Sequence, residues 1–63
     1  MEKEILQKFL GKKVSLLVAT DDRELFRVGT VQNVTDECVL ILFHSALQAY
    51  ALSCILNVKE LIE

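Results

Sequence analysis

The sequence predicts a mainly-β fold: one short N-terminal α-helix followed by five antiparallel strands in a small, strongly bent sheet that closes as a barrel. Three observations carry this. Apolar residues follow helical spacing only at the N-terminus; from Val14 onward they alternate with a period of two; and the apolar runs are joined by only a few residues. A chain of 63 residues forms one domain, spanning residues 1–63, and is too short for the crossover helices that a parallel sheet needs.

The helix is expected over residues 2–10. Ile5, Leu6, Phe9 and Leu10 fall on one stripe, Glu2 and Glu4 occupy the first turn, and Gly11 follows the last apolar residue as a stop signal. So short a helix does not hold alone in water and has to lie on the sheet. The first strand, residues 13–19, alternates Val14, Leu16 and Val18 with Ser15, Leu17 and Ala19, and ends in the polar loop Thr20-Asp21-Asp22-Arg23-Glu24. The second, residues 25–34, puts Phe26, Val28, Thr30, Gln32 and Val34 on one face and Leu25, Arg27, Gly29, Val31 and Asn33 on the other. Glycine weakens a strand unless a bend or a close backbone approach requires it, so Gly29 marks a bend. Thr35-Asp36-Glu37 leads into a third strand, residues 38–43; His44-Ser45 turns the chain into a fourth, residues 47–52; and Ser53-Cys54 precedes a fifth, residues 55–58.

Composition narrows the function. Thirty-three of the 63 residues are apolar, more than so small a domain readily encloses, and surplus apolar surface points to self-association or a membrane. Residues 38–58 contain no Asp, Glu, Lys or Arg and are long enough to span a bilayer. Yet His44, Ser45, Gln48, Ser53 and Asn57 interrupt them and no basic cluster flanks them, which favours buried strands over a membrane helix. Seven basic against nine acidic side chains give a net charge of −2, the wrong sign for a protein that grips phosphate over its whole surface. The positive mean hydropathy argues against disorder. Glu2-Lys3-Glu4 before a short apolar patch does not read as a signal peptide, so the cytoplasm is the expected compartment. There Cys38 and Cys54 are expected as small buried hydrophobes rather than a disulfide, and they lack zinc-ligand spacing.

Two stretches resemble a known family. Gly29-Thr30-Val31-Gln32-Asn33-Val34-Thr35-Asp36-Glu37-Cys38-Val39-Leu40-Ile41-Leu42 has the bent-strand glycine, alternating apolar residues, acidic turn and apolar run of the first Sm motif. Tyr50-Ala51-Leu52-Ser53-Cys54-Ile55-Leu56 is similar to the Ala-Ile-Ser-Thr-Val-Val segment joining the last two strands of bacterial Hfq. With the helix, the chain resembles the Sm-like (LSm and Hfq-like) family of SH3-type barrels along nearly its whole length. That resemblance implies a homo-oligomeric ring of about six to eight subunits, the fourth strand of one pairing with the fifth strand of the next, with single-stranded RNA bound on the ring surface. The implied interface residues are Leu47, Ala49, Ala51, Ile55 and Leu56. Departures accompany it: the Tyr-Lys-His that binds uridine-rich RNA in Hfq reads Gln48-Ala49-Tyr50, and Ser53-Cys54 stands where Sm proteins carry Arg-Gly.

The expected RNA contacts are Lys12 and Lys13, the densest basic cluster, together with Asn33, Asp36 and Tyr50. Each has a structural reading as well: the lysines as a solvated helix end and Tyr50 as packing between subunits. His44, the lone imidazole, reads as a turn residue, and Asp21-Asp22 as a solvated turn rather than a cation site. No catalytic constellation, metal-ligand pattern or cofactor motif is present, so a non-catalytic protein is expected. From another class, a protein-interaction or scaffold module on an SH3-like barrel, without RNA binding, fits the acidic charge.

Overall fold

The computed structural model describes residues 1–62. It contains α1 (Lys3–Gln7), β1 (Lys13–Ala19), β2 (Glu24–Val34), β3 (Cys38–Phe43), β4 (Ala46–Ala51), a 3-10 turn (Leu52–Cys54) and β5 (Ile55–Glu60). The five strands form one antiparallel sheet in the order β4-β3-β2-β1-β5. Among the described residues β4 and β5 are not paired with each other, so the sheet is open and both are edge strands.

β2 is the spine of the sheet and pairs with both β1 and β3. Eleven residues of straight strand would span about 34 Å, more than the 30 Å longest dimension of the whole molecule. The strand therefore bends, and two features let it. At Gly29 an added Cβ would meet the Cγ2 of Ile41 and lie 2.7 Å from the carbonyl oxygen of Leu42, so β3 crosses closer than any side chain would permit. Two residues on, the β2–β3 register shifts between Val31 and Asn33, leaving Gln32 as the extra residue of a bulge.

That bulge corrects the expected faces of β2. Strict alternation puts Val31 and Val34 on opposite sides, yet both are buried, because the extra residue turns Val34 inward beside Val31. β1 alternates as expected, with Val14, Leu16 and Val18 buried. These join Val39 and Ile41 of β3, Ile55 of β5, Leu52 of the 3-10 turn and Leu6 of the helix in a single core of ten residues. The charge-free segment 38–58 is thus β3, β4, the 3-10 turn and the start of β5, and no helix among the described residues is long and apolar enough to cross a membrane.

The helix is shorter than the expected 2–10. It ends at Gln7 because the backbone just beyond it is taken up by β2: Leu10 bridges to Val31, and Gly11, in the left-handed region at φ 78°, donates its N–H to the Val31 carbonyl at 2.9 Å. Of the four-residue stripe, Leu6 alone is fully buried; Phe9 packs at the core margin, and Ile5 and Leu10 are exposed. The nitrogen of Met1 donates to the Leu52 carbonyl at 2.6 Å, tying the start of the chain to the β4–β5 connection.

The turns are held by side chains. Thr20 Oγ1 donates to the Arg23 carbonyl at 2.8 Å in the β1–β2 loop, and Thr35 Oγ1 accepts from the Cys38 N–H at 3.0 Å in the β2–β3 turn. The β3–β4 hairpin is different. Its two-residue loop puts His44 and Ser45 at φ 50° and 67°, the mirror-image turn geometry that favours Asn-Gly. A non-glycine residue held there costs about 1–2 kcal/mol.

Two stability predictions follow from the bend and the core. Gly29→Ala is expected to lose about 1–3 kcal/mol by overpacking against β3, and Gly29→Val more, although valine is the better strand residue; urea unfolding of the three proteins measures this. Leu16→Ala is expected to lose about 2–5 kcal/mol. That is a large share of the roughly 3–9 kcal/mol available to a chain of this length, so the same denaturation series should find the unfolding midpoint of this variant well below that of the wild type.

Candidate functional site

Three open grooves stand out among the described residues; Asp36, Tyr50 and Lys13 each line a different one, and Lys12 and Asn33 line none of the three. The largest, about 540 Å³, runs beside the β2–β3 turn and the end of β4; Asp36, Glu37, Cys38, Ala51 and Ser53 line it. A second, about 410 Å³, is lined by Phe26, Arg27, Phe43, Gln48 and Tyr50. The third, about 320 Å³, lies under the β3–β4 turn and is lined by Lys13, Thr30, Leu42, Phe43, His44 and Ser45, with Gly29 at its floor. Asp36, Tyr50 and Lys13 therefore belong to different grooves, and the structure does not gather them into one.

Each expected contact has a local role. Lys12, at the start of the first β hairpin, pairs with Glu60 of β5 at 3.5 Å while both side chains remain solvated. Lys13 opens β1, opposite Thr30, and its carbonyl accepts the Leu61 N–H at 2.9 Å. Asn33 follows the bulge and turns its Oδ1 back to the N–H of Val34 at 2.9 Å. Tyr50 packs half-buried against the core, opposite Val39, and its hydroxyl donates to Gln48 Oε1.

Asp36 is bound to Lys3 of the helix. The hydrogen bond from Lys3, with the attraction between the charges behind it, holds the Asp36 carboxyl below the ordinary aspartate value and raises the Lys3 ammonium above the ordinary lysine value. The two residues are 33 positions apart, so the pair fixes the helix to the β2–β3 turn. Both groups are solvated, which keeps the contribution small and salt-sensitive.

The expected interface residues lie on the two edge strands. Leu47, Ala49 and Ala51 are exposed on β4, and Leu56, 50% exposed, lies on β5. Ile55 differs: its side chain is in the core, while its backbone belongs to the edge strand. Cys38 and Cys54 are half-buried free thiols. Among the described residues no cluster of three or more His, Cys, Asp or Glu could hold a metal ion.

The sequence reading did not single out the groove that Phe26 and Phe43 line together with Arg27 and Gln48. Phe26, near the start of β2, is 70% exposed, and the guanidinium of its neighbour Arg27 donates to the Phe26 carbonyl at 3.0 Å. The available signal was its place on the face of β2 opposite Gly29 and Val31, the two residues of that strand's middle that are buried.

Comparison with models of known protein families, with curated proteins and with solved structures found no match.

The Lys3–Asp36 pair gives a pH prediction with a definite sign. The lowered carboxyl contributes stability that is present above its unfolded value and lost as pH falls through the folded one; the raised ammonium contributes stability lost only as pH rises through its own folded value. Asp36→Asn should therefore remove a small part of the acid sensitivity of the wild-type melting temperature, with the largest difference between the two proteins near neutral pH and low salt. Melting curves from pH 3 to 8 at two salt concentrations test it.

Proposed function

We propose that the chain is a non-catalytic, Sm-like ring subunit whose β4 and β5 edges pair between neighbouring copies, about six to eight in all, and whose ring surface binds single-stranded RNA. The observation that carries this reading is the strand order: a strongly bent five-stranded sheet ends at β4 on one side and β5 on the other, and both edges carry exposed apolar side chains. Leu47 is 58% exposed on the first and Leu56 50% on the second. An unpaired, uncharged edge such as β4 invites another strand, and natural sheets ordinarily guard it with charge, proline or a bulge. Residues Ala46–Ala51 have none of these.

In this reading the bent sheet is the Sm-like barrel, completed at its edges by the neighbouring subunits, and the ring works in the cytoplasm. The three grooves are open to solvent, which suits a binding surface better than an enclosed reaction site. RNA contacts would come from few cations: Lys3 and Lys12 already pair with Asp36 and Glu60, and the net charge is −2. That favours binding led by stacking on Tyr50 and hydrogen bonding by Asn33 over a phosphate grip.

Native mass spectrometry of protein purified with and without nuclease tests assembly and cargo together. A ring carrying nuclease-sensitive mass supports the proposal; a nucleic-acid-free ring moves the protein to the scaffold class; a monomer at micromolar concentration overturns it. Leu47→Lys and Leu56→Lys, both at exposed positions, are expected to change monomer stability by no more than about 0.5 kcal/mol while dissociating the oligomer, which sedimentation and denaturation measure separately. Titration with oligo-U is expected to give a log-log salt slope of about −2, as for two or three phosphate contacts to a single strand.

A further inference from the structure

β2 overhangs the strand beside it. Its pairing with β1 runs from Glu24 to Thr30, whereas β3 joins it only from Thr30 onward, because β3 ends at Phe43 in the turn to β4. Residues 24–28 of β2 are therefore paired on one flank only, and a groove of about 410 Å³ opens between the other flank and the β3–β4 hairpin. Aromatic rings line it from both sides: Phe26 from β2, and Phe43, 42% exposed, with half-buried Tyr50 from the hairpin. The polar groups among them are a guanidinium and an amide–phenol pair. Arg27 gives one hydrogen bond, from Nη1 to the Phe26 carbonyl, and among the described residues pairs with no carboxylate. That bond leaves the Nε–Nη2 edge of the fork, two parallel donors, uncommitted. The Tyr50 hydroxyl donates its proton to Gln48, so its oxygen keeps acceptor capacity. A single exposed phenylalanine needs no explanation. Three rings and an uncompensated guanidinium on one groove match what holds an unstacked base of single-stranded RNA, which needs a flat face to lie on and hydrogen bonds to its edge.

We infer that this groove is where the proposed RNA surface takes a base, and that the base is guanine. Guanine presents O6 and N7 as adjacent acceptors, which one edge of a guanidinium meets with two parallel bonds; adenine puts an amino donor where guanine has O6. A two-ring base also covers more of Phe26 and Phe43 than a pyrimidine does, and stacking of this kind is a main source of affinity for single strands. The inference deepens the RNA reading and rests on it for the source of the base. It sets Phe26, Phe43 and Arg27 beside Tyr50 in one site. Binding stays led by stacking, with its cation at the edge of a base rather than at the phosphates.

The test compares two fluorescently labelled RNA strands that differ in one base, U-U-G-U-U and U-U-A-U-U, so that phosphate contacts are equal. The wild type should bind the first about tenfold more tightly, as expected for one bidentate contact to a base edge. Arg27→Lys keeps the charge and removes the fork, and should bind the two strands alike. Phe26→Ala should lose about tenfold for U-U-G-U-U, the loss expected from one stacking partner. Both side chains are exposed, so both variants should melt near the wild-type temperature. Backbone amide shifts of the wild type are followed in parallel with guanosine monophosphate and adenosine monophosphate. A guanine preference that Arg27→Lys abolishes and an affinity that Phe26→Ala weakens support the site and the RNA reading together. Shifts at residues 26, 27, 43, 48 and 50 with guanosine monophosphate alone, when neither strand binds, support the site and overturn RNA as its ligand. Equal affinity for the two strands overturns the guanine assignment, and wild-type affinity in both variants overturns the groove; either leaves RNA binding standing. No binding of either strand, with no shifts from either nucleotide, overturns both.

Discussion

The bend of β2 is the constraint on which the rest of the molecule depends. A straight strand of that length would be longer than the molecule, and the curvature is what lets one sheet wrap a core on its inner face. Gly29 permits the approach of β3 that no side chain would allow, and the bulge at Gln32 adds the local twist that brings Val34 back inside. The helix depends on the same strand. Val31 receives the Gly11 N–H on its carbonyl and gives its own N–H to the Lys12 carbonyl at 3.1 Å, so the helix is delivered to the sheet by the residue that sits beside the bulge. Leu6 then fills the core at that point, and Lys3 reaches Asp36 at the far end of β2.

What was legible in the sequence follows from how local each cause is. β1 could be read because alternation over seven residues is a local signal, β3 because a short unbroken apolar run between turn residues is another, and Gly29 because a glycine inside a strand needs a reason. The helix was overestimated because its apolar stripe continues to Leu10, whereas the backbone of Leu10 and Gly11 is claimed by Val31, some twenty positions away. The bulge left no mark: Gln32 is an ordinary strand residue, and its extra place in the register is set by what β3 offers opposite. The same distinction applies to the candidate site. The lysines, Asn33, Asp36 and Tyr50 were chosen by type and by family pattern. Their separation, with Asp36, Tyr50 and Lys13 in three different grooves and Lys12 and Asn33 in none of these, depends on long-range strand pairing that no local pattern carries. His44 and Ser45 were legible as a turn, but their left-handed conformation and their closeness to Lys13 and Thr30 arise from the hairpin register.

The apolar surplus of the composition is resolved unevenly. Ten residues are buried in the core, while Phe26, Leu47, Leu56 and Phe43 remain on the surface among the 33 apolar residues of the chain. Fully burying one such side chain is worth about 1.5–3 kcal/mol, and the whole fold of a chain this long has roughly 3–9 kcal/mol in hand. Leu47 is 58% and Leu56 50% exposed, so covering what remains of the two at an intersubunit edge would add about 1.5–3 kcal/mol, a substantial fraction of the stability of the monomer. In the proposed assembly, folding and association would then be coupled: the edge strands that are least buried in the single chain would gain most from a neighbour, and the outermost strand β4 would be ordered in large part by the subunit beside it. The strained hairpin belongs to that same strand. In that assembly the strand closed by the turn would be held on both sides, which would let a turn that costs stability persist at the tip of β4 and would link the proposed edge pairing and the turn through a single element of the fold.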